Sequence, residues 1–163
     1  MMKSLLAVAV AATAFVQFKN PADNSLLFVT NDDAAKFGAT SHEDGYARKD
    51  GQKLPIGVKV YGPGSAEYRR AEDKTVSDAI KAGKKALTGA SQRADATYKL
   101  ARTTLAFVNF DYEGETVTAE TDVTARVRIA SAFFDDGQFV AFRDQVLQEQ
   151  HDHANFTPTG SSS

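Results

Sequence analysis

Residues 56–71 read Ile56-Gly57-Val58-Lys59-Val60-Tyr61-Gly62-Pro63-Gly64-Ser65-Ala66-Glu67-Tyr68-Arg69-Arg70-Ala71, and the period of the chain changes within them. Ile56, Val58 and Val60 alternate with Gly57, Lys59 and Tyr61, the pattern of a strand with one buried face. Pro55 opens that strand where a missing N–H costs least. Gly62-Pro63-Gly64 breaks it, Ser65 has the chemistry of a helix N-cap, and Glu67 suits the positive end of a helix dipole. A helix is therefore expected from Ala66 to Ala82.

Upstream, the apolar runs 15–18 and 26–29 flank Asn20-Pro21-Ala22-Asp23-Asn24, a cluster of turn formers, and predict a β-hairpin. The segment from Asn31 to Lys53 is polar, carries Gly38, Gly45 and Gly51, and keeps no sustained period, so an exposed loop or a loosely held excursion is expected there. Downstream, Gly83 and Gly89 interrupt helical continuity. Ala90, Ala94, Tyr98, Ala101, Leu105 and Val108 then recur at helical spacing and predict an amphipathic helix through residue 108. A turn centred on Glu113-Gly114 follows. Val123, Val127, Ala130 and Phe134 mark a short helix, and Asp135 or Asp136 caps another carrying Phe139, Phe142 and Val146.

The class is α+β: a small N-terminal antiparallel β-sheet (hairpin plus one strand) followed by a three- to four-helix C-terminal bundle. Its 163 residues fit a single domain, with a β-rich part over 15–62, a polar loop over 31–54, a helical part over 65–150 and a frayed tail over 157–163.

The composition, 42% hydrophobic and 25% charged, is that of a globular chain. Cysteine is absent, which excludes disulfides, thiol catalysis and thiolate metal sites. A net charge of −2 provides no general attraction to nucleic acid. The charge is nevertheless polarised: between Arg48 and Arg102 basic residues outnumber acidic ones by about two to one, whereas residues 111–152 are dominated by acids such as Asp135, Asp136, Asp144 and Glu149. Two parts of one fold, two copies of the chain, or an acidic face and a basic partner would each account for this.

Residues 1–14 resemble a secretory signal, with Lys3 leading, an apolar run from Leu5 to Ala12, and Ala12-Thr13-Ala14 in the small-x-small form of a cleavage site before Phe15. The stretch is too short to span a bilayer. Its alanine content and the spacing of Val8 and Val10 suit a retained strand or buried helix equally well.

No constellation in the chain has the chemistry of an active site, and neither a cofactor nor a metal is expected. His151-Asp152-His153 offers too few ligands for a structural zinc and reads as a solvated helix end. Asp135-Asp136-Gly137 lacks the ligand spacing of a calcium loop. Gly62-Pro63-Gly64-Ser65 lacks the lysine of a phosphate loop, and Pro63 removes an amide. Glu72-Asp73 and Asp32-Asp33 are adjacent in sequence, so their carboxylates diverge. The aromatic residues carry more information. Phe107, Phe110, Phe133, Phe134, Phe139 and Phe142 crowd the last third of the chain and are the candidate partner-binding residues. Two readings stay open for them: plain core, or a partly exposed groove accepting an apolar helix.

The order of features is similar to that of the tail assembly chaperones of long-tailed (siphovirus-type) bacteriophages. The likeness rests on Asn20-Pro21-Ala22-Asp23 in an early turn, the strand and Gly62-Pro63-Gly64-Ser65 followed by Tyr68-Arg69-Arg70-Ala71, an aromatic cluster over 105–111, Glu113-Gly114-Glu115, and the closing segments Phe139-Val140-Ala141-Phe142-Arg143-Asp144-Gln145-Val146 and Asp152-His153-Ala154-Asn155-Phe156. It covers most of residues 15–157. The chain departs from the pattern in its signal-like start and in Phe110, where the family has tryptophan. The resemblance implies a non-enzymatic protein of the host cell cytoplasm that binds the tape measure protein, keeps it soluble and helps recruit tail tube protein, without nucleic acid or membrane and with self-association open. The alternatives are a structural subunit of a phage or phage-like particle and an exported bacterial binding protein.

Overall fold

The computed structural model describes residues 13–83 and 88–152, so the signal-like residues 1–12, His153 and the tail over 157–163 lie outside the described residues. Its α+β class is the one expected: a three-stranded antiparallel sheet packed against helices from the C-terminal part. The strands are β1 (Thr13–Gln17), β2 (Arg48–Lys49), β3 (Gln52–Lys53), β4 (Gly57–Tyr61) and β5 (Thr104–Val108). The helices are α1 (Ala66–Ala82), α2 (Gly89–Thr103), α3 (Val123–Asp135) and α4 (Val140–His151). No described helix is long and apolar enough to cross a membrane.

β4 is the central strand, antiparallel to β1 on one side and β5 on the other. Its alternation works as the sequence implies: Val58 and Val60 are fully buried while Lys59 faces solvent. Val58 pairs with Val16 and with Phe107, so the three strands present one continuous apolar face. Gly57 is required by close approach, because a Cβ there would meet Val16 O at 2.1 Å.

The expected hairpin is only partly formed. Its turn exists, with Asn20 N–H donating to Ser25 O at 2.7 Å and Asn24 in the left-handed region at φ 62°. Yet residues 15–17 pair with β4, and the run 26–29 is held by isolated bridges, Leu26 to Lys19 and Phe28 to Pro55. The long-range partner wins because it buries Val16 against Val58 in the main core.

The polar segment expected as a loop or a loosely held excursion is a folded excursion. Two 3₁₀ turns, Asn31–Asp33 and Ala35–Phe37, precede the β2–β3 hairpin, whose Asp50 and Gly51 both have positive φ, as a tight two-residue turn requires. Val29, Ala34 and Ala47 form a small satellite core beneath it. Lys36 ties it back to Asp111 at 2.6 Å.

α1 has the bounds that its caps imply. Ser65 Oγ accepts from Tyr68 N–H at 3.0 Å and donates to Gly62 O at 2.8 Å. α2 differs from expectation: helix ends at Thr103 and passes directly into β5, so residues 104–108 are strand rather than helix. Two β-branched residues make the switch. Thr103 and Thr104 donate their hydroxyls to Lys99 O and Leu100 O at 2.6 and 2.7 Å, satisfying carbonyls that a continuing helix would have used. The buried residues of α2 are Thr97, Leu100, Ala101 and Thr103, while Ala90 and Ala94 of the expected stripe are exposed.

Glu113 and Gly114, both at positive φ, make the tight turn between Tyr112 and Glu115, whose backbones exchange hydrogen bonds at 2.7 and 2.9 Å. Asp122 caps α3, and Asp136 caps the 3₁₀ turn Gly137–Phe139 that leads into α4. The core lies between the sheet and α2, α3 and α4, with Phe18, Leu100, Ala130, Phe134 and Val146 among its closed centre. Buried Gln150 joins the layers, donating to Tyr61 O and to Thr103 Oγ1 at 2.8 Å each.

Candidate protein-binding surface

The six phenylalanines singled out from the sequence are brought together, and the place they meet is the interior. Phe107, Phe133 and Phe134 are buried, and Phe110, Phe139 and Phe142 are partly buried at the margin of the same cluster. Phe107 stacks on Phe110 at 4.5 Å between centroids, Phe133 on Phe139 at 5.0 Å, and Phe142 on Phe18 at 4.6 Å. Phe133 is the ring around which the others close, and Phe18, far off in the sequence just after β1, joins them against Phe110, Phe133 and Phe142. Such stacked and edge-on pairs add roughly 0.5–1.5 kcal/mol each beyond burial. Tyr112 meets Phe133 edge-on and donates its hydroxyl to Asp136 at 2.8 Å. That hydrogen bond to a carboxylate, together with desolvation, pushes its phenol up to about 12.

Exposed apolar groups lie elsewhere. None of the six rings is among the exposed large hydrophobics of the described residues, whereas Val76 and Ile80 are 53% and 78% exposed. They stand one turn apart on α1, where side chains at i and i+4 share a face. The only buried residues of α1 are Tyr68 and Ala71, and those of α2 begin at Thr97. Between residues 72 and 96, therefore, no described residue is buried. At 1.5 Å per residue, the part of α1 beyond Ala71 is an arm about 16 Å long. Small residues allow the helices to approach: Ala79, Ala82, Ser91 and Ala94 line a shallow groove of about 140 Å³ between them, edged by Asp78 and Asp95. Lys74 pairs with Asp78 at 2.8 Å beside the apolar pair.

An apolar pair set off the Tyr68–Ala71 face was visible in the sequence as Val76 and Ile80. Its exposure was not, because that depends on how far the body reaches along the helix. The other motifs are occupied by structural roles. Ser65 is engaged by its cap, Asp136 accepts from Gln138 N–H and Tyr112, and His151 Nδ1 lies 3.1 Å from the Tyr68 hydroxyl. Partial burial, and then the charge of Lys99, hold the His151 imidazole below its ordinary pKa.

No known family model, curated protein or solved structure matches this chain.

Proposed function

We propose that this protein works by binding an apolar helix of another protein, as a tail assembly chaperone of a long-tailed bacteriophage does with the tape measure protein. The observation that carries the reading is the exposed pair Val76 and Ile80 on a two-helix arm in which no described residue from 72 to 96 is fully buried. A stable fold has no use for such an arm, and a partner helix laid along it turns two helices into three. Helix recognition characteristically uses apolar anchors at i and i+4. Two aliphatic anchors with charged neighbours give a contact that is specific and still releasable, as assembly demands once tail tube protein arrives. The order of sequence features from the Asn20 turn to Phe156 supports the same family. The working compartment in this reading is the host cell cytoplasm. In keeping with a retained N-terminal segment, Thr13 and Ala14 pair with Tyr61 and Val60 in the sheet, and a chain starting at Phe15 would lose both pairings.

The test is co-expression with the long helical product of the neighbouring gene, followed by purification of the complex. The expected result is a soluble complex that Val76→Asp and Ile80→Asp weaken by at least about tenfold without moving the thermal midpoint, as for interface anchors. Binding unchanged in both variants would refute the arm as the contact surface. Stoichiometric presence in finished particles would instead favour a structural subunit, and a mature chain beginning at Phe15 an exported binding protein.

A further inference from the structure

At the root of the arm, α1, α2 and α3 enclose a cleft of about 490 Å³, within the range of small-ligand sites, roughly 300–1,000 Å³. Each helix contributes an arginine to its wall: Arg70, Arg102 and Arg126. We propose that this cleft binds an oxyanion, a carboxylate or a phosphate, carried on an apolar or aromatic body.

Three observations support the assignment. First, the three arginines outnumber the single carboxylate of the cleft wall, Glu67. Arg48, Arg128 and Arg143 lie against Asp44, Glu115 and Asp144 at 2.7, 2.7 and 3.4 Å, whereas the cleft arginines, like Arg69 and Arg93, have no described carboxylate within ion-pair distance. Glu67 shares the wall and balances one guanidinium of the three without pairing to any. Second, Arg126 is only 9% exposed, and its Nε is buried without a hydrogen-bond partner in the protein. A buried cation with an idle donor costs stability, and a methionine of similar length would avoid that cost. The outer guanidinium nitrogens are not among the buried unpaired atoms, and Arg126 lines the cleft. Third, the cleft is shaped for more than a bare ion. The Arg102 guanidinium lies over the Tyr98 ring at 5.5 Å, and Ala71, Val123 and Val127 supply apolar wall. Guanidinium forks match carboxylate and phosphate oxygens two at a time, and that geometry selects both anions over halides.

The site does not depend on the protein-binding reading, since it uses the first turns of α1 and neither Val76 nor Ile80. Phenyl phosphate and phenylacetate, with benzyl alcohol as the neutral control, test it on the full chain by thermal shift and by the arginine side-chain NMR signals. The expected result is saturable, sub-millimolar binding of at least one anion, with the Arg126 Nε–H signal shifting. The preferred anion then identifies the source as a phosphate ester or a carboxylate. Arg126→Met should raise the thermal midpoint without ligand and weaken the anion about tenfold, the weight of one charge-assisted contact. Arg102→Gln, at an exposed position that folding tolerates, should weaken it similarly and keeps the test valid if the first variant misfolds. No saturable shift with either anion, equal binding of benzyl alcohol, or unchanged affinity in the variants overturns the assignment.

Discussion

Replacing Phe134 and Ile80 separately by alanine distinguishes a ring that holds the fold from a side chain that does not. Phe134 is fully buried, with Phe133 edge-on at 5.1 Å. Removing it deletes a whole aromatic side chain and leaves a hole between α3 and the sheet, a loss of about 3–5 kcal/mol. For a chain of this size each kcal/mol moves the thermal midpoint by about 2–4 °C, so the midpoint should fall by about 6–20 °C. Ile80 is 78% exposed, so alanine removes little burial and slightly improves helix propensity. Its effect should stay within about 0.5 kcal/mol. Phe142→Ala, a partly buried ring stacked on Phe18 at 4.6 Å, should fall between the two. Urea denaturation followed by circular dichroism gives all three values at constant m. A loss under about 1.5 kcal/mol for Phe134→Ala, or over that for Ile80→Ala, would refute the division into aromatic interior and dispensable arm.

Gly57→Ala should cost more than about 3 kcal/mol, because the new methyl would meet Val16 O at 2.1 Å and force β1 away from β4; urea midpoints measure it. Gln150→Leu should cost about 1–3 kcal/mol, since it removes the amide that Tyr61 O and Thr103 Oγ1 now accept at 2.8 Å each; the same assay compared with Gln150→Glu checks it. In a spectrophotometric titration one tyrosine should ionise near 12, and Asp136→Asn should bring it down. Because that phenol is harder to ionise folded than unfolded, its contribution is complete below the unfolded value of 10.0 and is lost as pH rises from there to about 12.

The parts of the fold legible in the sequence are those that local chemistry decides. Alternation around Val58 and Val60, the Gly62-Pro63-Gly64 break and the Ser65 cap fix β4 and the start of α1 without reference to distant residues. β5 was not legible in this way. Leu105 and Val108 continue a helical spacing, and only the edge of β4, some fifty residues earlier, makes strand the better state by placing Phe107 opposite Val58. The same limit hid the partner of β1. For the surfaces, composition announced an aromatic cluster but not on which side of the boundary it lies, since Phe110 and Phe142 are covered in part by the distant Phe18 and Phe139 packs on Phe133. The arginine cleft was invisible for the plainest reason: its residues come from three helices, around positions 70, 102 and 126, and nothing local joins them.

The arm raises a final question of energetics. Ordering a residue costs about 1–2 kcal/mol of backbone entropy, and isolated helices under about 12–15 residues are unstable in water. None of residues 72–82 and 88–96 is fully buried, so they stay helical by continuing helices that the body nucleates at Tyr68 and Ala71 and at Leu100 and Ala101. Their opening free energy should therefore fall with distance from those anchors. Native-state hydrogen exchange should show amides near Ile80 and Gln92 exchanging by local fraying, while those near Leu100 open only with the whole molecule. Uniform protection along both helices would mean that the arm is supported by contacts other than those described here. A client helix that docks on Val76 and Ile80 must raise protection at the tip first, because it supplies there the apolar burial that the fold itself withholds. A partner that protected only the body would have to bind elsewhere, and the exposed pair would then need another explanation.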